Sequence, residues 1–384
     1  MQKIIVSLTS YPRRINVVNQ VIKSLWNQKV CADEIVLYLS YMEFPQREKN
    51  LPSELVEMVG KNGFKIEWVE GNLKSHKKYY YVLQSKRDAI VITVDDDKVY
   101  AETLISDLIC SYKKFPKAVS TRVARIMVKD KEQLAEYNDW DTCLDEYIDT
   151  PRMDLCAIGA GGVLYPPLCA TKRWFDEENI KIFAENQDDL WLKSNEIIDH
   201  IPIVYTLPTQ KDIQIENTEN GSLCVNNMYG GENDVSIGKL SVWIKKNHTE
   251  VYDKWFFGLM QKEEYITEKK AFYAAMTKRL LDKVGDVPIY LYGAGKRAKQ
   301  ILKILADFEM LDRLEGIIVS DKRGNPNVLE NVTVKSLEEV NKNVTFAVIC
   351  GVGASYKDEV NSILRNCNCK YLDLNIQTII RYYK

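Results

Sequence analysis

The sequence Ala-Ile-Val-Ile-Thr-Val-Asp-Asp-Asp at residues 89–97 decides the fold of this chain. Its first six residues are almost all apolar, which predicts a strand that is covered on both faces, as the central strands of parallel sheets are. Three adjacent carboxylates follow directly, at the end of the strand where open α/β sheets place their ligands. The stretch therefore predicts a buried sheet and a functional site at its carboxyl edge.

Strands and helices alternate on the N-terminal side of this stretch. Such alternation indicates βαβ units and a largely parallel sheet. Ser53 is the predicted N-cap of one helix. The predicted elements are strands at Ile4–Thr9, Glu34–Leu39 and Phe64–Val69, and helices at Val17–Trp26, Leu51–Val59 and Lys77–Arg87.

The alternation of strands and helices becomes irregular after Ala101 and resumes near Pro288. Leu104–Phe115 and Lys239–Lys283 have helical spacing, Gly159–Gly162 predicts a turn, and residues 221–238 predict a long loop. From Pro288 onward the alternation restarts. It predicts a helix at Ala298–Leu305 and strands at Ile289–Tyr292, Gly316–Val319, Val344–Cys350 and Lys370–Leu372.

We therefore predict an α/β protein of two domains. The larger domain, at residues 1–245, carries the mostly parallel sheet, and a helical linker follows at 246–285. Residues 286–384 form a small Rossmann-like α/β domain, whose length is ordinary for an independent core.

Composition excludes several classes of protein. The 384 residues are 46% hydrophobic and 28% charged, as in globular proteins, and the net charge of −2 lacks the basic surplus of a nucleic-acid binder. No apolar stretch is long enough to span a bilayer, and the start lacks the pattern of a signal peptide. The nine cysteines form no Cys-x-x-Cys pair, so we expect neither a disulfide framework nor a zinc site, and a cytoplasmic location.

Two acidic clusters are the candidate chemical groups. Asp95 and Asp97 share a face of the extended chain, so one can hold Mg²⁺ or Mn²⁺ while the other reaches a ribose or the water shell of the ion. A solvated acidic turn is the alternative. Asp188 and Asp189 begin a helix, where acidic residues are favoured by the helix dipole. Either one could instead serve as a general base.

Four segments in this order resemble bacterial GT-A glycosyltransferases, specifically the family-two-like enzymes of surface-polysaccharide gene clusters. The resemblance covers about Met1 to Lys245. The segments are Ser7–Arg14 (SLTSYPRR), Asn72–Tyr81 (NLKSHKKYYY), Val94–Asp97 (VDDD) and Asp188–Trp191 (DDLW). It implies a GT-A fold, a nucleotide-diphosphate sugar donor with a UDP-sugar as first candidate, and a divalent metal ion.

The resemblance also implies roles for individual residues. Thr9, Tyr11 and Arg13 would receive the base and ribose, and Asp95 and Asp96 would contact the nucleotide side of the donor. Asp97, together with Asp95, would coordinate the metal. Asp189 matches the usual catalytic base of the family. Asp188 stands where many relatives have Glu, so which of the two carboxylates takes the proton stays open.

A basic run precedes the helix that leads to the aspartates. His76 and Lys77 could reach the diphosphate if the helix begins there, because free N–H groups at a helix start attract anions. We interpret Lys74 and Lys78 as part of a solvated face.

Other residues of the larger domain have two interpretations each. His200 and His248 are candidates for a third metal ligand, but an ordinary surface or helix histidine fits them better. Trp191 could stack on an acceptor sugar or lie buried in the helix. Gly161 and Gly162 could allow close approach of the acceptor or simply form a turn.

The C-terminal domain carries a second motif. Gly293 and Gly295 belong to a Gly-x-Gly-x-x-Ala turn between a strand and a helix, and Asp321 ends the next strand where a ribose-binding acid would lie. This pattern resembles the Rossmann-like domains of some sugar-modifying enzymes. It predicts either a bound nucleotide or a domain used for packing or oligomerisation.

The leading functional expectation is an inverting, metal-dependent glycosyltransferase of cell-surface polysaccharide or capsule assembly. Its partners would be a nucleotide sugar and an oligosaccharide or lipid-linked glycan acceptor, without nucleic acid. Association with the inner face of the membrane and homo-oligomerisation stay open. The alternatives are an NAD-dependent sugar-nucleotide oxidoreductase or epimerase, and a non-catalytic nucleotide-sugar-binding protein.

Overall fold

The computed structural model divides the chain into two compact units, at residues 1–262 and 263–384. It describes residues 2–142, 144–216, 218, 230–340, 345–352, 356–366 and 371–374. Part of the predicted loop (221–229) and the first residues of two predicted strands, Val344 and Lys370, lie outside the described residues. None of the described helices is both long and apolar enough to cross a bilayer.

The first unit contains fourteen described strands and eight described helices. The strands are β1 (Ile4–Thr9), β2 (Glu34–Ser40), β3 (Phe64–Val69), β4 (Ile90–Thr93), β5 (Lys98–Val99), β6 (Val119–Thr121), β7 (Ala124–Ile126), β8 (Lys129–Asp130), β9 (Gln133–Leu134), β10 (Pro151–Arg152), β11 (Leu155–Ala157), β12 (Val163–Tyr165), β13 (Ile203–Tyr205) and β14 (Ile213–Gln214). The helices are α1 (Val18–Trp26), α2 (Ser53–Met58), α3 (Lys77–Ser85), α4 (Leu104–Lys114), α5 (Glu177–Phe183), α6 (Asp188–Ile198), α7 (Glu232–Asn247) and α8 (Thr249–Phe257).

Eight of these strands form one sheet in the order β10-β13-β6-β12-β4-β1-β2-β3. The strands β4, β1, β2 and β3 are parallel, which confirms the predicted βαβ arrangement. The β12 strand runs antiparallel to both β4 and β6, so the other half of the sheet is mixed. The β4 strand therefore lies inside the sheet, and all four of its residues are buried.

The ends of β1 and β4 lie side by side at the carboxyl edge of the sheet. Ser7 pairs with Thr93 in parallel register, so the segments that follow both strands emerge next to each other. Apolar residues of both strands, including Leu8 and Val94, belong to one hydrophobic core. Because this core covers the strands, the first polar residues after them are held in defined positions.

The start of α2 differs from the prediction. Ser53 is the first helical residue and not the N-cap, since Pro52 precedes it and no side chain caps the helix. Proline cannot donate a backbone hydrogen bond and fits the edge of a helix, so the helix begins directly after it. The predicted position of the helix itself, within Leu51–Val59, agrees with the structure.

The second unit has its own parallel sheet, in the order β17-β18-β16-β15-β19-β20. Its strands are β15 (Ile289–Tyr292), β16 (Leu314–Val319), β17 (Val328–Leu329), β18 (Val332–Ser336), β19 (Phe346–Cys350) and β20 (Tyr371–Leu374), and its helices are α9 (Lys262–Asp282), α10 (Lys296–Asp307) and α11 (Lys357–Asn366). Among the described strands of this unit, only β17 pairs antiparallel, with β18.

The central strand β15 has a hydrophobic cluster on each face. Ile289 and Leu291 belong to one cluster, while Tyr290 and Tyr292 belong to the other. This alternation follows from the two-residue period of a strand, which directs successive side chains to opposite faces. The α/β fold class, with two mostly parallel sheets, is thereby confirmed.

Candidate active site at the carboxyl edge of the first sheet

Five segments of the first unit meet at the end of β4. They are the aspartate triplet itself, the segment after β1, the first turn of α3, the 3₁₀ turn Gly159–Gly161 and the first turn of α6. These segments are far apart in the sequence. They meet because β1 and β4 are neighbours in the sheet and because α6 begins beside them.

Lys78 lies at the centre of this group. Its Nζ is 2.8 Å from Asp95 Oδ1 and 2.9 Å from Asp188 Oδ2, and its side chain is 6% exposed. The backbone carbonyl of Lys78 accepts a 2.5 Å hydrogen bond from Ser7 Oγ, which ties α3 to β1. The interpretation of Lys78 as solvated is therefore wrong: the first turn of α3 faces inward, against the sheet.

The charge of Lys78 is compensated by its neighbours. Burial alone would lower the pKa of the ammonium group, but the carboxylates of Asp188 and Asp95 raise it well above its usual range. A buried cation is expensive unless it is paired. Lys78 therefore stays protonated and links the aspartate after β4 to the aspartates of α6.

Asp188 and Asp189 differ although they are adjacent. Burial favours the neutral form of Asp188, but the Lys78 ammonium and His76 lower its pKa below the usual value. The Asp189 carboxylate accepts the backbone N–H of Gly159 at 3.1 Å. Burial and the charge of Asp188 raise the pKa of Asp189 well above the usual value. Two carboxylates with opposite shifts are typical of separate charge-holding and proton-accepting roles.

Asp96 and Asp97 contact a second cation, Arg14. The Arg14 guanidinium lies 2.8 Å from Asp96 Oδ1 and 3.0 Å from Asp97 Oδ2. Asp96 also accepts a 2.5 Å hydrogen bond from Ser10 Oγ and is buried. Each Asp96 oxygen thus has a partner within the protein, so Asp96 holds the loop in place, and its predicted contact with the nucleotide stays a prediction.

Asp95 and Asp97 fit a divalent cation by the chemistry of their donor atoms. Their side chains are 29% and 17% exposed. The ion pair of Asp95 with Lys78 and that of Asp97 with Arg14 each use one carboxylate oxygen. Carboxylate oxygens are the ligands that Mg²⁺ and Mn²⁺ prefer. Four carboxylates in this region share the two cations Arg14 and Lys78 in ion pairs, so an additional positive charge is favoured. Among the described residues, no three His, Cys, Asp or Glu side chains are grouped as a metal site.

His76 and Lys77 lie inside the protein. The His76 ring is buried, with Nδ1 2.9 Å from Tyr79 Oη and Nε2 2.8 Å from the Ala184 carbonyl oxygen. Burial lowers the pKa of His76. Lys77 is also buried and contacts Glu43 and the Asn72 side chain.

The predicted diphosphate contacts are therefore occupied by protein groups. Both ring nitrogens of His76 are engaged, and Lys77 has its own carboxylate partner. The reason is the 3₁₀ turn Lys74–His76, which places the start of α3 so that these side chains enter the core.

The segment after β1 lies beside the aspartates. The Thr9 hydroxyl donates to the Tyr38 carbonyl oxygen at 2.8 Å, so it connects β1 to β2. The ring of Tyr11 is half-buried and lies under the Arg14 guanidinium, while Arg13 is exposed. Of the three residues predicted to bind the base and ribose, Tyr11 and Arg13 are thus the ones with open side chains.

The glycines of the 3₁₀ turn are required by close packing. A Cβ atom on Gly161 would lie 2.6 Å from a Val123 side-chain carbon, and one on Gly162 would lie 2.6 Å from Leu104. Gly162 also has a positive φ of 81°. Of the two interpretations offered for these residues, the structural turn fits.

The remaining part of α6 is buried as well. Trp191 is fully buried and donates from Nε1 to the Trp174 carbonyl oxygen at 2.8 Å, so it packs in the core and is not exposed to an acceptor. Lys193 and Glu196 are buried with no hydrogen-bond partner for their charged groups among the described residues. Burial lowers the pKa of Lys193 and raises that of Glu196 to about 7.

The two histidines considered as metal ligands lie elsewhere. His200 is exposed at the end of α6, and the ring of His248 contacts Trp243 at 6.2 Å between centroids. Both fit the interpretation as ordinary surface or helix histidines.

In the second unit, Gly293 and Gly295 follow β15. Gly293 has a φ of +98°, and a Cβ atom there would lie 2.8 Å from Val352 Cγ1. Gly295 precedes α10 with open space around it. Asp321 forms an exposed ion pair with Arg323 at 2.8 Å. Nucleotide binding by these residues stays a prediction.

Sequence reasoning missed three residues of the first site: Lys78, Arg14 and Gly159. Each stands within a segment that it did single out, so the segments were right and the individual residues were not. The best signal was the run of aromatic and apolar residues that follows Lys78 in α3 (YYYVL), because a lysine on a buried helix face needs a carboxylate partner.

Solved structures similar to this chain include three proteins. TarS from S. aureus has a TM-score of 0.38 and 12% identity, covering 81% of this chain and 88% of its own. UDP-glucose pyrophosphorylase from Acinetobacter baumanii has a TM-score of 0.32 and 8% identity, covering 65% and 95%. The 4-diphosphocytidyl-2C-methyl-D-erythritol synthase from Anaerococcus prevotii has a TM-score of 0.35 and 16% identity, covering 59% and 98%. No protein-family profile and no curated protein matches the sequence.

Proposed function

We propose that the first unit is a metal-dependent glycosyltransferase of the GT-A type, which moves a sugar from a nucleotide-diphosphate donor to a glycan hydroxyl. One observation carries the proposal: the Lys78 ammonium joins Asp95 at the end of the central strand to Asp188, next to Asp189, at the start of α6. A donor-side carboxylate and a proton-accepting carboxylate thus lie in one partly exposed group, as a transfer reaction requires.

Asp189 is the proposed general base. The acceptor hydroxyl would give its proton to the Asp189 carboxylate as its oxygen attacks the anomeric carbon, with inversion, while the bond to the diphosphate breaks. The N–H of Gly159 fixes the orientation of this carboxylate. Asp188 would stay ionised beside Lys78, and this difference supports Asp189 as the base of the two.

Asp95 and Asp97 are the proposed metal ligands. A bound Mg²⁺ or Mn²⁺ would offset the negative charge of the departing diphosphate. Arg14 holds Asp97 by an ion pair. Tyr11 and Arg13, which lie beside Arg14 in the sequence, are the proposed contacts to the base and ribose. A UDP-sugar is the first donor to test, with an oligosaccharide or lipid-linked glycan as acceptor.

A nucleotide-sugar screen tests this function. Wild-type protein and Asp97→Asn are incubated with a panel of nucleotide sugars, with Mn²⁺ or with EDTA, and both the melting temperature and donor hydrolysis are measured. A ligand that binds only the native state raises the melting temperature. We expect one donor to do so with Mn²⁺ in the wild type alone, and to be hydrolysed slowly.

Asp149→Asn is the matched control, because it removes a carboxylate outside the site whose ion pair, among the described residues, is with Lys114. It should behave as wild type. Failure of every donor to bind the wild type in the presence of Mn²⁺ would contradict the proposal. Binding of NAD(H) that survives EDTA would favour the oxidoreductase alternative, and donor binding without any turnover would favour a non-catalytic binding protein.

A further inference from the structure

Within the proposed transferase, we infer that Lys78 is a positioning residue that holds Asp95 and Asp188 in place and withholds one Asp95 oxygen from the metal ion. The inference rests on the proposed function of this site. It assigns a role to a lysine that the sequence alone placed on a solvated face.

Two carboxylates and one backbone hydrogen bond fix the position of the Lys78 ammonium group. Nζ is 2.8 Å from Asp95 Oδ1 and 2.9 Å from Asp188 Oδ2, and the Lys78 carbonyl is fixed by Ser7. The side chain is almost fully buried, so solvent does not compete for these contacts. The charge-assisted hydrogen bond to Asp95 and the ion pair with Asp188 restrict the rotation of both carboxylates.

Gly159 provides the space for this arrangement. A Cβ atom on Gly159 would lie 2.6 Å from Lys78 Nζ, 3.2 Å from Asp95 Oδ1 and 3.4 Å from Asp189 Oδ1. Its φ is not positive, so alanine is acceptable to the backbone, and the atom in its way is the end of the flexible Lys78 side chain, which can move. The glycine thus allows the ammonium group to sit between the carboxylates.

This arrangement predicts that the loss of Lys78 strengthens the binding of Mn²⁺ instead of weakening it. Removal of the ammonium group frees Asp95 Oδ1 and removes a positive charge that repels a cation bound at Asp95. Mn²⁺ should therefore bind more tightly to Lys78→Met than to the wild type, by about tenfold or more. Sugar transfer should be slower, with a fall in kcat, because Asp95 and Asp188 are no longer held in position.

Mn²⁺ affinity is measured by calorimetry on the full chain, without donor, for wild type, Lys78→Met and Lys193→Met. Lys193 is the matched control, since it is a buried lysine that lies on α6 and has no carboxylate partner in the site. Its substitution should leave the Mn²⁺ affinity unchanged. A lysine that only stabilises the fold would, when lost, loosen the site and weaken Mn²⁺ binding.

Gly159→Ala is the second variant, in case Lys78→Met does not fold. It keeps the ammonium group but displaces it from Asp95, so it should also bind Mn²⁺ more tightly, by about threefold. Unchanged or weaker Mn²⁺ binding by the folded variants would overturn the inference.

The two proposals can fail separately. If the wild type binds Mn²⁺ and transfers sugar but neither variant binds Mn²⁺ more tightly, the transferase stands and the role of Lys78 is wrong. If the variants bind Mn²⁺ more tightly but no donor is consumed by the wild type, Lys78 positions Asp95 and the transferase is wrong. Absence of Mn²⁺ binding by the wild type would overturn both.

Discussion

The ends of the central strands β4 and β15 have similar surroundings but different chemistry. Each strand is buried and lies between two other strands of its sheet. After β4, three aspartates contact cations that come from α3 and from the segment after β1. After β15, Gly293 and Gly295 bring no side chain, and the nearest atoms to a Cβ at Gly293 belong to Val352 and Gly351.

This difference indicates that the sheet supplies a position and that the segments around each strand end decide which chemical groups lie there. The aspartates after β4 would repel one another if they were alone. They are stable together because Lys78 and Arg14 lie among them. The glycines after β15 need no such partners, and at Gly293 the close approach of Val352 explains the residue by packing.

The largest expected effect is a loss of sugar transfer when Asp189, beside the end of β4, is replaced. Asp189→Asn should lower kcat by about 10²–10⁴-fold, because the amide cannot take the proton from the hydroxyl of the acceptor sugar. Donor binding should persist. Steady-state kinetics and a donor-binding titration measure both quantities. Asp188→Asn should lower kcat less, since the base itself remains. A larger loss in Asp188→Asn would assign the base to Asp188.

The dependence of kcat/KM on pH tests the different roles of Asp188 and Asp189. Asp189 must be deprotonated to act as a base, so kcat/KM should fall about tenfold per pH unit below its pKa. Burial and Asp188 raise that pKa, so the fall should occur at higher pH than for an ordinary aspartate near 4. Asp188→Asn removes the neighbouring charge and should shift the fall to lower pH. A profile that is unchanged in Asp188→Asn would contradict the coupling of the two carboxylates.

Gly293→Ala should affect stability and not transfer. The positive φ and the close contact with Val352 predict a loss of about 1–3 kcal/mol in the unfolding free energy of the second unit. All seven tryptophans precede residue 263, so their fluorescence reports on the first unit alone. In denaturant titrations, circular dichroism should show an earlier transition while the fluorescence midpoint stays constant. A shift of the fluorescence midpoint, or loss of sugar transfer, would break the comparison.

Gly295→Ala has the smallest expected effect and serves as the partner of Gly293→Ala. Nothing lies within 4 Å of a Cβ at this position, and its φ of −88° suits any residue. We expect a change of less than about 1 kcal/mol, from its place before the first turn of α10. The same two-probe titration measures it. Equal destabilisation by both substitutions would mean that packing against Val352 does not explain Gly293.

The strands were the most predictable part of the molecule. The predicted bounds of β3 and β15 agree with the structure, because a run of apolar or alternating residues is a local property of the sequence. The predicted N-cap of α2 was wrong. Ser53 is the first helical residue instead, because Pro52 precedes it. The reversal of β12 between β4 and β6 was not predicted, since strand direction depends on contacts between distant segments.

The candidate site was predictable in its segments but not in its individual contacts. Lys77 and Lys78 are adjacent and chemically identical, yet Lys77 contacts Glu43 while Lys78 contacts Asp95 and Asp188. The difference of one residue rotates a side chain by about 100° around a helix with 3.6 residues per turn. Only the packing of α3 against the sheet decides which of the two faces the aspartates.

The amino-acid sequence alone determined the α/β class, the buried central strands and the acidic residues at the end of β4 and the start of α6. Each of these follows from local hydrophobicity and residue type, which need no knowledge of distant contacts. The tertiary structure decided that Asp188 and Asp189 have opposite pKa shifts and that Lys78 joins Asp188 to Asp95. These properties arise from burial and from charges a few ångströms away on other segments, and such distances exist only in the folded chain.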